Sequence, residues 1–63
     1  MGQKLVKLYD FARAAGGPTA AMRLAMKTMI SAGNAAAAAD SPENVAKVKA
    51  AVKEVTGKEA PEV

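Results

Sequence analysis

The sequence predicts an all-α fold of three short helices, at about 3–15, 18–32 and 42–56, in a small bundle completed by self-association. Apolar residues recur three and four apart in each of these windows, the spacing of one helix face. Gly16-Gly17-Pro18, Gly33-Asn34 and Ser41-Pro42 punctuate the chain between them, and such pairs stop or start helices. The central window also carries more apolar surface than a 63-residue chain readily covers, so partner chains are expected.

In the first segment Leu5, Leu8 and Ala12 centre the apolar face and Tyr9 and Phe11 flank it. Lys7, Asp10 and Arg13 take the wet side, with Asp10 three residues from each cation, a spacing of weak helix support. Val6 falls off the main face. Tyr9 is expected at the core edge with its hydroxyl in water. Gly16-Gly17 ends the segment. Pro18 then suits the first turn of the next helix, with Gly17 as its N-cap. So short a connection predicts antiparallel neighbours.

The second segment has three faces. Met22, Met26 and Met29 form one, and Ala21, Ala25, Thr28 and Ala32 form the small-residue stripe beside it, which Leu24 extends. Fixed charge is confined to Arg23 and Lys27. A stripe of small side chains lets a partner helix approach closely, and flexible thioethers fill the remaining space. Ala21, Met22, Ala25, Met26, Met29 and Ala32 are therefore the candidate interface. Gly33-Asn34 closes this helix. Ala35–Ala39 is a five-alanine run, too short to nucleate an isolated helix. Residues 35–40 are read as an Ala-rich connector, either helix or linker.

The third segment has the clearest start: Ser41 as N-cap, Pro42 at the first helical position and Glu43 at the positive end of the helix dipole. Val45, Val48, Val52 and Val55 then form a narrow apolar stripe. Glu43–Lys47 and Glu54–Lys58 are favourable i,i+4 pairs, while Lys49–Lys53 is a like-charge pair. Valine gives up side-chain freedom in a helix, so packing rather than propensity holds this one. Gly57 closes it. Residues 1–56 are expected to form a single helical domain, and 57–63 a polar flexible tail.

Chemistry is constrained by what is missing. The chain has no cysteine and no histidine, which excludes disulfides, thiolate chemistry, thiolate-held metal centres and a histidine general base. Ser31 and Ser41 have no histidine to activate them, and no two carboxylates form a convincing acid/base pair. Helical spacing of Met22, Met26 and Met29 favours packing over a soft-metal site. The glycines form no phosphate loop. No catalytic residue, metal or cofactor is expected, and the chain is read as a non-enzyme. No stretch approaches the length of a membrane span, and a cytoplasmic location is expected.

The net charge of +3 is uneven: residues 1–30 carry +4 and residues 31–63 carry −1. This asymmetry favours head-to-tail contact between chains, or an anionic partner for the N-terminal half. The functional expectation is a small helical interaction or accessory protein, forming a homo-oligomer, most simply a dimer, through its central Met/Ala-rich helix. The alternative is a weak binder of nucleic acid or anionic surfaces. It would place Arg23, Lys27, Lys49 and Lys53 on phosphates, with an alanine run unable to read a base edge.

Overall fold

Gly17 divides the N-terminal half of the molecule into two limbs. In the computed structural model, which describes residues 2–63, α1 runs Gln3–Thr28, α2 Ala32–Ala35 and α3 Pro42–Thr56. A straight helix of the 26 residues in α1 would span about 39 Å, yet the longest dimension of the molecule is 25 Å. The bend lies at Gly17, where φ is 76° and ψ −171°, a conformation essentially reserved for glycine. Residues 18–28 fold back on 3–16, and Pro18 begins the second limb where its missing N–H is harmless. The all-α bundle is as the helical periodicity predicts.

The second limb is shorter than expected. It ends at Thr28, not Ala32, because Met29 adopts the left-handed conformation (φ 62°, ψ 20°). Thr28 is drawn into the core, where its Oγ1 donates to the Leu24 carbonyl at 2.8 Å and meets the Tyr9 hydroxyl. Ser31 then starts α2, its Oγ accepting the Asn34 N–H at 3.2 Å. Gly33-Asn34 therefore lies inside a short helix instead of ending a long one.

The alanine run is an ordered turn on the core. Ala35 is buried and Ala38 half-buried, both against the central cluster. Gly2 abuts it: the Gly2 N–H donates to the Ala36 carbonyl at 3.1 Å, and a Cβ on Gly2 would lie 1.7 Å from the Ala35 carbonyl oxygen. The start of α1 has no side-chain cap of its own. Asp40, 36 residues away in sequence, supplies a carboxylate there, accepting the Lys4 N–H at 3.3 Å, as the helix dipole favours.

α3 has the expected bounds. Ser41 Oγ accepts the Asn44 N–H at 3.1 Å, and Gly57 closes the helix in the left-handed conformation. Val48 and Val52 are wholly buried with Leu5, Leu8, Ala12 and Leu24, while Val45 and Val55 border this cluster. Each leucine or valine so buried contributes about 1.5–3 kcal/mol. Residues 58–63 lie against α3, with Ala60 and Val63 packed on the core.

The core is thus closed within one chain. Its exposed surface is 3863 Å², close to the roughly 3,800 Å² that surface–mass scaling gives a compact monomer of 6.4 kDa. Within the chain, α2 and residues 58–63 help to cover the central cluster through Ala35, Ala60 and Val63. Among the described residues no helix is long and apolar enough to cross a membrane.

Candidate interaction face

The fold splits the six candidate interface residues. Met22, Met26 and Met29 point outward and are 60%, 70% and 85% exposed. Ala25 is half-buried and Ala32 exposed, while Ala21 is buried. The small-residue stripe is not continuous: Thr28 is buried in the chain's own core, and Ala32 belongs to α2. What remains beside the methionines is an open groove of about 520 Å³, lined by Arg13, Pro18, Ala21, Met22, Ala25 and Ala32.

The wheel explains this division. Within residues 18–28, Ala20, Ala21, Leu24 and Thr28 supply the inward face and Met22 and Met26 lie opposite them, while Met29 follows the helix in the left-handed conformation and is also exposed. Long side chains therefore protrude next to a hollow floored by alanines. The patch carries charge of one sign: Arg13 lines the groove and Arg23 sits beside Met22 and Met26. Among the described residues neither arginine has an ion-pair partner within 4 Å, whereas Lys27 Nζ lies 3.6 Å from Glu54 Oε2.

The four residues of the anion-binding alternative are mostly engaged. Besides Lys27, Lys49 lies 3.6 Å from Glu62 and Lys53 pairs with Glu59. Only Arg23 of the four is without a carboxylate among the described residues. A phosphate would have to displace glutamates at three positions.

Tyr9 departs from expectation. Its ring is 4% exposed, and its hydroxyl bonds Thr28 Oγ1 at 2.8 Å and donates to the Ile30 carbonyl instead of reaching water. The reversal of charge between Lys49/Lys53 and Glu59/Glu62 is the signal that places residues 58–63 on α3. Among the described residues no group of three or more acidic side chains is arranged to hold a metal ion. No protein-family model, curated protein or solved structure matches this chain.

Proposed function

We propose that this chain is a small non-enzymatic interaction protein that associates with a second copy of itself through the face formed by Met22, Met26 and Met29. The observation that carries the reading is the exposure of all three methionines beside a groove floored by alanine. A two-fold interface must be self-complementary, and this face holds both protruding side chains and a hollow to receive them. Three exposed methionines side by side make a patch in the class of the largest apolar patch of typical monomers, roughly 300–600 Å². That lies below the ~800 Å² per partner of a stable complex, so the dimer is weak and forms between tens and hundreds of micromolar.

Charge distinguishes a second copy from an acidic partner. Pairing two identical faces brings Arg13 and Arg23 of both copies together, a repulsion that salt screens. Sedimentation equilibrium will show twice the chain mass at hundreds of micromolar, with association strengthened between about 0.05 and 0.5 M salt. A single-chain mass throughout that range refutes the reading, and weakening with salt assigns the face to an acidic partner.

A further inference from the structure

Residues 58–63 sit on α3 as a bound peptide would. Glu59 pairs with Lys53 and Glu62 with Lys49, while Ala60 and Val63 turn toward the core. The two lysines are one helical turn apart on one face of α3, and with Ala50 they form one wall of a groove of about 260 Å³ whose other wall is Glu59, Ala60 and Glu62 of the segment itself. Thr56 Oγ1, whose proton goes to the Val52 carbonyl at 2.7 Å, accepts the Lys58 N–H at 3.1 Å, anchoring the start of the segment. Beyond Lys58, side chains alone hold it: two solvent-exposed ion pairs and two small apolar groups. Exposed ion pairs are weak and screened by salt.

We propose that the Lys49–Lys53 face of α3 is a docking site for acidic peptides, with residues 58–63 as its resident, displaceable occupant. The ligand class follows from the occupant: an extended segment with two carboxylates three residues apart, the second followed by an aliphatic side chain. Lys49 and Lys53 act as two point charges, so a peptide with only one carboxylate loses half of the recognition. A peptide suits the groove better than a nucleic acid because none of its lining residues is an aromatic or an arginine on which a base could stack. The tether gives the resident segment an effective concentration of order millimolar, so a partner peptide competes by making contacts that residues 58–63 lack. This site is separate from the methionine face and does not depend on self-association.

The test uses the full chain and the peptide acetyl-EAPEV-amide, followed by amide chemical shifts. The double variant Glu59→Gln/Glu62→Gln changes only exposed side chains and weakens the resident contact. It will bind the peptide saturably at about millimolar strength, with shifts at Lys49, Ala50 and Lys53, and at least ~5-fold more tightly than the parent chain does. Adding Lys49→Gln and Lys53→Gln will abolish those shifts. Absence of saturable shifts in the double variant, or equal affinity in parent and variant, overturns the proposal. Tighter binding of oligothymidylate than of the peptide at the same amides overturns it too and assigns the lysines to nucleic acid.

Discussion

The Tyr9 hydroxyl lies 2.8 Å from Thr28 Oγ1 inside the core, joining the two limbs of α1 across the Gly17 bend. Thr28 Oγ1 donates to the Leu24 carbonyl, the Tyr9 O–H is shared between Thr28 Oγ1 and the Ile30 carbonyl, and the Ile30 N–H donates back to Thr28 Oγ1 at 3.3 Å. This network fixes where the second limb stops and where α2 begins. Removing one hydroxyl strands buried partners, which costs about 1–3 kcal/mol. Tyr9→Phe will therefore lower the thermal midpoint by roughly 4–24 °C in a domain of this size. Groups in one network couple, so Tyr9→Phe combined with Thr28→Val will cost less than the sum of the single changes. Thermal unfolding followed by circular dichroism checks both statements, and strict additivity contradicts the network.

Two glycine-to-alanine changes will have opposite signs. Gly17 has φ 76° and open space around it, so Gly17→Ala meets backbone strain rather than a clash. Its cost will be about 1–3 kcal/mol. Gly33 lies inside α2 without a positive φ, and the nearest atom to an added Cβ is Ser31 Oγ at 4.0 Å. Gly33→Ala will stabilise by about 0.4–1 kcal/mol, chiefly by restricting the unfolded chain. Urea midpoints of the two variants on either side of the parent value meet this expectation; a shift in the same direction does not.

These residues also show how far the sequence could be read. Ser41, Pro42 and Gly57 delimit α3 in both readings because capping is local: each acts on backbone groups within three or four residues. Gly16-Gly17-Pro18 likewise marks the bend. The misreadings all involve distant partners. Thr28 looked like part of a contact stripe, since a helical wheel places a residue on a face but does not say what covers it. Tyr9 draws it inward from 19 positions away. Asp40 reaches the start of α1 from 36 positions away, and the carboxylates of residues 58–63 find the lysines of α3. The methionine face was legible as apolar. Its exposure was not, because that depends on how much of the core the connector and the last six residues cover.

Leu24 is the second limb's fully buried large side chain, packed with Leu5, Leu8, Val48 and Val52. Truncation to alanine leaves a cavity where both limbs and α3 meet, and Leu→Ala changes of this kind cost about 2–5 kcal/mol. After the entropy of ordering the chain, the net stability of so small a domain is no more than about 3–5 kcal/mol. Leu24→Ala will therefore be largely unfolded at 37 °C, losing its helical circular dichroism and its amide dispersion together. A cooperative transition above that temperature would show that the junction collapses around the smaller side chain.

Met26 gives the converse case, because it is 70% exposed. The sequence alone suggests that Met26→Glu removes both helicity and association, as expected for a residue that a partner must bury before the helix is stable. With the core closed by Leu24, Thr28 and the α3 valines, helicity no longer depends on that partner. Glutamate is also a good helix former, and at position 26 it stands three residues from Arg23, a spacing that adds weak support. Met26→Glu will keep the parent's helical signal and its midpoint to within about 0.5 kcal/mol. It will lose the concentration-dependent increase in mass, because glutamate removes the apolar side chain that fills the partner's alanine-floored hollow and puts there a charge that is costly to desolvate. Sedimentation equilibrium and circular dichroism on one sample separate the outcomes. Loss of helicity places Met26 in the stabilising core, while loss of association alone places it in the interface.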